Sequence, residues 1–136
     1  MDTAGMWSDR LREAGLQPSY NRISVLRFIH ENPIHPNADE IYAHLHPELP
    51  SLSRTTVYNT LRAFVEKRLL RDVRIEEGLV RYDANTAEHG HFKCEVCGVI
   101  TDLPLGEAAW PVPDGASVTQ RDIFERGVCR ECREGR

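Results

Sequence analysis

Two CxxC pairs, Cys94-x-x-Cys97 and Cys129-x-x-Cys132, constrain the fold of this chain more than any other feature of its sequence. They contain all four of its cysteines. Zn²⁺ takes four thiolates in a closed tetrahedron, and a CxxC turn presents two sulfurs for two of its corners. Gly98 follows the first pair and lets the backbone turn tightly. We therefore expect one structural zinc that joins the two pairs and stabilises a small domain with little core of its own.

The alternative is that the cysteines form redox-active dithiols, which isolated CxxC motifs also allow. The presence of two pairs disfavours this, because together they complete a tetrahedral ligand set. Residues 1–15 are polar and lack the apolar block of a signal peptide. No apolar run approaches the roughly 18 residues of a membrane span. We therefore expect a cytoplasmic protein with no membrane partner, in which reduced thiols bind metal.

A second group of metal-binding side chains precedes the first cysteine pair. His89 and His91 are two residues apart, so a strand that starts by His89 projects both from one face and Cys94 from the other. A mixed set of imidazoles and carboxylates suits Fe²⁺ or Mn²⁺. The candidate carboxylates are Asp83 and Asp102. Taken alone, each of these residues is more simply explained as an ordinary surface group, and the aspartates become ligands only if the fold brings them together.

The first half of the chain has the pattern of capped helices. Each prediction rests on a capping residue followed by apolar residues at helical spacing. The predicted helices are a short one capped by Ser8 and closed by Gly15, residues 20–32 after Ser19, residues 38–46 in a capping box of Asn37 and Glu40, and residues 54–70 after Ser53.

The period then changes from helical to alternating. Residues 71–83 alternate around Glu77-Gly78, which predicts a hairpin. Helices followed by a small hairpin are typical of a winged helix, in which the helix at 54–70 would read DNA and the hairpin would be the wing. The polar residues 84–90 form the expected boundary between two domains.

Beyond that boundary the sequence predicts a small α/β domain. Strands are expected at 91–97, 99–105 and 119–129. Pro111 and Pro113 keep any helix within residues 106–118 short.

Charge is distributed unevenly along the chain. The net charge is −4, yet residues 52–74 contain six basic and two acidic side chains, leaving 11 of the 17 basic and 19 of the 21 acidic residues elsewhere. A local basic face on an acidic chain is expected where one surface meets phosphates. A solvated helix face is the default explanation for such a run when it is considered alone.

Taken together, these motifs resemble the ferric uptake regulator family. The resemblance covers nearly the whole chain, and the combination of motifs in this order is specific. The segments that carry it are 11-LREAGLQPSYNR-22, 35-HPNADEIY-42, 55-TTVYNTLRAF-64, 89-HGHFKCEVCG-98 and 127-GVCREC-132.

The resemblance implies an α+β protein with two domains. Residues 1–83 would form an N-terminal winged helix-turn-helix domain that binds DNA, with a hinge at its end. Residues 84–136 would form a small C-terminal α/β dimerisation domain with a structural zinc. The implied function is that of a homodimeric, metal-dependent transcriptional repressor of a palindromic double-stranded DNA operator, and not of an enzyme.

The resemblance also assigns roles to particular residues. It groups His35, Asp83, His89, His91 and Asp102 into one regulatory site for Fe²⁺ or Mn²⁺, next to the structural Zn²⁺ of the four cysteines. The expected DNA contacts all lie on the helix at 54–70, and the threonines near its start would contact phosphates. They are Arg54, Thr55, Thr56, Tyr58, Asn59 and Arg62.

Within the family, the sequence looks most similar to the peroxide-responsive repressors. Asp102 stands where iron-uptake regulators usually carry glutamate, and Asn59 stands where they usually carry arginine. Gln120 and Arg121 occupy the region where a second His/Asp site would require a later histidine. The resemblance implies Fe²⁺-catalysed oxidation of a ligand histidine by peroxide, at His35 or His89, whereas Mn²⁺ would bind without that chemistry.

Several alternatives remain open at this point. A plain Fe²⁺- or Mn²⁺-responsive repressor would use the same ligands, whereas a zinc-uptake regulator typically needs a further cysteine that this chain lacks. A non-haem iron oxygenase would need a substrate pocket, and a zinc-ribbon interaction module would have no sensing site. The Pro-rich segment 104–118 is shorter than in relatives, which leaves open how the dimer interface is built.

Overall fold

The computed structural model describes residues 3–106 and 110–135, with the side chains of residues 3 and 4 excepted. Contacts divide the chain into two compact units, Met1–Thr86 and Ala87–Arg136. Helices and a hairpin form the first unit, and a small sheet with one short helix forms the second. The predicted α+β fold class is confirmed. The assignment of DNA binding to residues 1–83 and of dimerisation to residues 84–136 stays a prediction.

Four helices make up most of the first unit. They are α1 (Thr3–Glu13), α2 (Tyr20–Glu31), α3 (Ala38–Leu45) and α4 (Arg54–Glu66). The Ser19 and Ser53 hydroxyls accept hydrogen bonds from the third backbone N–H of α2 and α4. Asn37 and Glu40 form the reciprocal capping box at the start of α3. These three helices therefore begin where the sequence predicted.

Two helix boundaries were predicted wrongly. Ser8 does not cap α1, because the helix begins at Thr3 and Ser8 lies inside it. Helix α4 ends at Glu66 and not at residue 70, because Arg68 takes a left-handed backbone with φ 61°. The Leu69 N–H then donates to the Phe64 carbonyl at 2.8 Å, which closes the helix and leads the chain into the hairpin.

The core of the first unit lies where the apolar faces of the helices meet. Leu11 of α1, Leu26 of α2, Ile41 of α3 and Phe64 of α4 are all fully buried. Because each helix contributes an apolar stripe to one cluster, this unit has a core that needs no metal.

A two-stranded hairpin follows α4. Strand β1 (Arg71–Glu76) pairs antiparallel with β2 (Leu79–Asp83), and Gly78 takes φ +74° in the turn between them. The loop before α3 forms backbone hydrogen bonds with the edge of β2 that faces away from β1. The Tyr82 N–H donates to the Pro36 carbonyl at 2.9 Å, and Asn37 forms an isolated antiparallel bridge with Arg81. The end of β2 is thereby fixed against the loop that carries His35.

The second unit is a three-stranded sheet in the order β4-β3-β5. The strands are β3 (Gly90–Cys94), β4 (Ile100–Leu103) and β5 (Phe124–Gly127), each shorter than the sequence predicted. Strand β3 pairs antiparallel with β4 and parallel with β5. A short helix, α5 (Arg130–Arg133), follows β5 and was not predicted.

The linking segment of the second unit is irregular. Residues 104–106 and 110–123 contain no helix or strand. Residues 107–109, where part of the short helix was expected, lie outside the described residues. In the described parts of the chain, no helix has the length and apolar character that crossing a membrane requires.

The second unit has almost no apolar core. Its buried residues, among those the structure describes, are His89, Gly90, His91 and Cys94. Gly90 has no space for a side chain, because a Cβ there would lie 3.0 Å from the Ile123 carbonyl oxygen. The interior of this unit therefore consists of candidate metal ligands and one glycine, not of packed aliphatic side chains.

Candidate metal centres

The four cysteines converge at one end of the sheet. Cys94 ends β3 opposite Gly127 of β5, so the parallel pairing carries the second CxxC pair to the first. The four sulfurs lie within 4.8 Å of one another. The Sγ atoms of Cys97 and Cys129 are 3.7 Å apart. A tetrahedron with Zn–S bonds of about 2.3 Å has edges of about 3.8 Å, so the spacing fits a Cys₄ zinc site.

The backbone around Cys94 is arranged to hold a thiolate. Its Sγ accepts N–H hydrogen bonds from Cys129 at 3.3 Å and from Cys97 and Val96 at 3.4 Å each. These bonds, that of Cys129 foremost, lower the pKa of the Cys94 thiol to about 6. The hydrogen bond with Cys129, together with burial, raises the pKa of Cys132 to about 12. Sulfurs this close resist carrying four negative charges unless a cation neutralises them, as zinc does.

His35 and Asp83 meet in the first unit. His35 lies in the loop before α3, and Asp83 ends β2. The His35 Nε2 is 3.4 Å from the Asp83 Oδ2, and each side chain is 8% exposed. The other carboxylate oxygen of Asp83 accepts the Asn85 N–H at 2.9 Å, which fixes the orientation of the carboxylate. The pair presents an imidazole nitrogen and a carboxylate oxygen side by side.

The backbone of His35 is in an unusual conformation. Its φ of +57° lies in the left-handed region, which costs a residue other than glycine roughly 1–3 kcal/mol. Contacts on both sides hold it there, because the His35 carbonyl accepts a hydrogen bond from Arg81 at 3.0 Å and the Pro36 carbonyl accepts one from Tyr82. The hairpin therefore determines where the His35 imidazole points.

His89, His91 and Asp102 meet in the second unit. His91 and Asp102 are directly opposite one another in the β3–β4 register, so their side chains leave the same face. The Asp102 Oδ1 is 3.5 Å from the Nε2 atoms of both histidines. The Nδ1 of His89 lies 2.7 Å from the Ala87 carbonyl and must donate to it, which puts the lone pair of the neutral imidazole on Nε2, the nitrogen that faces Asp102.

Each unit thus brings together its own part of the predicted regulatory set. His35 and Asp83 are paired in the first unit, and His89, His91 and Asp102 are grouped in the second. The groups that orient these ligands, the Asn85 N–H and the Ala87 carbonyl, were not predicted from the sequence. The Asn85 contact had a local signal in the sequence, because an aspartate such as Asp83 commonly accepts a hydrogen bond from the backbone N–H two residues further on, in an Asx-turn. The Ala87 carbonyl had no such signal.

The predicted DNA contacts lie on the outer face of α4. The side chains of Tyr58, Asn59 and Arg62 are exposed, whereas Val57 and Leu61 face the core. Tyr58 is 47% exposed and, with Arg62, lines a cleft of about 360 Å³ between α4 and the hairpin. It is therefore not packed tightly against the wing.

Three further predicted contacts surround the start of α4. Thr55 is exposed, whereas the Thr56 hydroxyl lies 2.9 Å from the Ser53 hydroxyl and belongs to the cap. Arg54 donates to Asp39 at 2.7 Å and lies over the Tyr42 ring at 4.6 Å. Arg54 and Thr56 therefore have structural partners within the unit, and Thr55 is the most accessible of the three.

A family model and the similar proteins of known function both identify the same family for this chain. The model of the "Ferric uptake regulator family" matches residues 13–108. The chain is 34% identical over 129 residues to the peroxide-responsive repressor PerR of Staphylococcus epidermidis, covering 91% of this chain and 86% of that protein.

Solved structures with the same fold agree with this match. The Campylobacter jejuni peroxide stress regulator superposes with a TM-score of 0.66 at 26% identity. The match covers 97% of this chain and 100% of the C. jejuni chain. The Helicobacter pylori ferric uptake regulator superposes with a TM-score of 0.73 at 20% identity, covering 98% and 96%. At that identity it supports the fold alone. The chain belongs to the ferric uptake regulator family, whose members are metal-responsive transcriptional regulators.

Proposed function

We propose that this protein is a homodimeric repressor whose affinity for DNA depends on a regulatory Fe²⁺ or Mn²⁺. The observation that carries the proposal is the pairing of His35 with Asp83 at the end of β2, the second strand of the wing. A metal bound there acts directly on the DNA-binding unit. A structural Zn²⁺ at the four cysteines would hold the second unit together.

We infer that His35, Asp83, His89, His91 and Asp102 bind one regulatory metal. All five offer imidazole nitrogen or carboxylate oxygen, the donor set that suits Fe²⁺ and Mn²⁺. A metal with ligands in both units fixes the angle between the two units. Because the two winged helices of a dimer must match the spacing of two half-sites on the duplex, the metal favours the arrangement that fits DNA.

Dimerisation has its own support in the second unit. Several large apolar side chains are exposed there, and a dimer interface would cover them. They are Val96, Val99, Trp110, Val112, Val118 and Val128. A twofold dimer would read a palindromic operator, because the symmetry of the protein is then repeated in its half-sites.

We further propose that the regulatory site responds to peroxide. The match to PerR over most of the chain supports this, as does the all-histidine and aspartate ligand set. Bound Fe²⁺ would catalyse a two-electron oxidation in which peroxide transfers one oxygen atom to a ligand imidazole and its other oxygen leaves as water. His35 and His89 are the expected targets, and each would gain one oxygen atom. The altered imidazole binds metal poorly, so the protein would lose its metal and release DNA.

The test loads the zinc-containing protein with Fe²⁺ or with Mn²⁺ and then adds peroxide. With Fe²⁺, we expect DNA affinity to fall by about tenfold to hundredfold, the usual size of coupling between two sites. Mass spectrometry of the peptides that contain His35 and His89 should show the added mass of one oxygen atom. The Mn²⁺-loaded protein is the matched control and should keep both its mass and its DNA affinity.

Two outcomes would separate the components of the proposal. Unmodified histidines in the Fe²⁺-loaded protein would refute peroxide sensing and leave a plain Fe²⁺- or Mn²⁺-responsive repressor. DNA affinity that is the same with and without Fe²⁺ or Mn²⁺ would refute the metal-dependent repressor itself.

The outer face of α4 gives a separate prediction. We expect Arg62→Ala to weaken DNA binding and to reduce the slope of log affinity against log salt by about 1, the contribution of one lost phosphate contact. Fluorescence anisotropy at several salt concentrations measures this slope. Arg27→Ala is the control, because Arg27 is a partly exposed arginine on α2 that pairs with Glu31 within its own helix. An unchanged slope for Arg62→Ala would show that this face of α4 does not lie on the duplex.

A further inference from the structure

We propose that Arg81 is the positioning residue that couples the regulatory metal to the wing. The inference rests on the proposed function and names the residue through which the His35 part of the site acts. Arg81 lies on β2 two residues before Asp83, and its guanidinium is directed at the loop that carries His35. No role for Arg81 was predicted from the sequence.

The guanidinium of Arg81 joins three parts of the first unit. Its Nε donates to the carboxylate of Glu76 on β1. Its Nη1 donates to the His35 carbonyl at 3.0 Å and lies 3.4 Å from the Glu40 Oε1. The same Glu40 oxygen accepts the Asn37 N–H at 3.1 Å in the capping box of α3. One side chain therefore links the hairpin, the His35 loop and the start of α3.

Burial distinguishes this network from an ordinary surface ion pair. The side chains of Arg81 and Glu76 are only 19% and 17% exposed. Exposed pairs contribute little because water screens them, whereas a shielded pair is strong and costly to break. Arg74 is a contrast on the same hairpin, since its side chain is 68% exposed and its partner is Asp72.

The metal and the wing are coupled because both act on His35, the metal at its imidazole and Arg81 at its backbone carbonyl. Arg81 binds the carbonyl of His35, and the imidazole of His35 would bind the metal. Because His35 sits in the left-handed region, its backbone depends on such contacts to stay there. Without the guanidinium, the imidazole would lose its fixed direction, and the hairpin would lose its link to the metal.

The prediction concerns both metal binding and its effect on DNA. We expect Arg81→Lys to lower the affinity of the regulatory site for Co²⁺ by about tenfold, as is usual when a residue that orients a ligand is lost. Lysine keeps the charge, but its single nitrogen lacks the planar fork that serves Glu76 and the His35 carbonyl together. The visible spectrum of bound Co²⁺ should also change, because it reports the arrangement of the ligands.

DNA binding is measured with and without Mn²⁺, on DNA selected for binding by the wild-type protein. We expect the stimulation by Mn²⁺ to fall by about tenfold in Arg81→Lys, while affinity without metal stays within about twofold. Glu76→Gln is the second variant and removes the charge that anchors Arg81 without changing its size. It should shift Co²⁺ affinity in the same direction and by less.

Arg74→Ala is the matched control, because it removes an arginine from the same hairpin without touching His35. Its Co²⁺ affinity and spectrum should equal those of the wild type. If Arg81→Lys also matches the wild type in Co²⁺ spectrum and Mn²⁺ stimulation, the role of Arg81 is refuted while the proposed function stands. If the wild type itself shows no stimulation by Mn²⁺ or Fe²⁺, the proposed function fails first.

Discussion

Replacing Cys94 by serine is expected to unfold residues 87–135 and to leave the helices of the first unit folded. Cys94 is fully buried and accepts three N–H hydrogen bonds, so it is the best-anchored of the four sulfurs. Zinc binding contributes about 10–16 kcal/mol in small domains that depend on it. A unit whose described buried residues are two histidines, a glycine and a cysteine has no comparable apolar contribution.

Hydrogen exchange followed by mass spectrometry tests this unit by unit. Peptides from residues 87–135 should exchange at the rate of an unfolded chain in Cys94→Ser, whereas peptides from α2 and α4 should stay protected. A zinc chelator should have the same effect on the wild type, and added Zn²⁺ should reverse it there but not in the variant. Retained protection of β3 without zinc would show that the sheet is stable on its own and would contradict a structural role for the metal.

The second large effect is expected from His91→Ala. His91 is 3% exposed, and its Nε2 lies 3.5 Å from the Asp102 Oδ1, which places it at the centre of the second unit's part of the regulatory site. We expect the variant to keep its zinc and its affinity for DNA without regulatory metal. Stimulation of DNA binding by Mn²⁺ should fall by about tenfold to hundredfold, which would remove most of the coupling.

Asp102→Asn is the second variant, and it tests the same site if His91→Ala does not fold. The substitution hardly changes the volume of a side chain that is 41% exposed, and it removes the charge that a divalent cation needs. His44→Ala is the control, since His44 is an exposed histidine of α3 that packs on Phe28. Full stimulation by Mn²⁺ in both His91→Ala and Asp102→Asn would exclude these residues from the regulatory site.

Local signals in the sequence predicted most elements of the first unit. Ser19, Asn37 and Ser53 cap their helices through bonds to residues three positions away, and Gly78 sits in a tight turn. Such bonds depend only on neighbouring residues, so a pattern reveals them. The left-handed Arg68 that ends α4 early has no residue type that signals it, since glycine is the usual choice there.

The parts that could not be predicted depend on contacts between distant residues. The parallel pairing of β3 with β5 joins segments more than thirty residues apart, as with Cys94 and Gly127. The contact of Arg81 with His35 spans 46 residues and involves a backbone carbonyl, which a side-chain pattern does not reveal. The cysteine site was predictable because its ligand types and spacing are restrictive. For the histidine and aspartate ligands, the family resemblance supplied the grouping.

The parallel pairing of β3 with β5 means that the second unit cannot form until the last part of the chain has been synthesised. The first unit is complete once Thr86 has been made, and nothing in its core waits for later residues. The zinc ligands are complete only after Cys132, roughly 2 to 9 s later at ordinary rates of translation. Cys94 and Cys97 are each synthesised 35 residues before their partner ligands Cys129 and Cys132. Without zinc at that stage, the second unit would stay unfolded while the first unit has already formed.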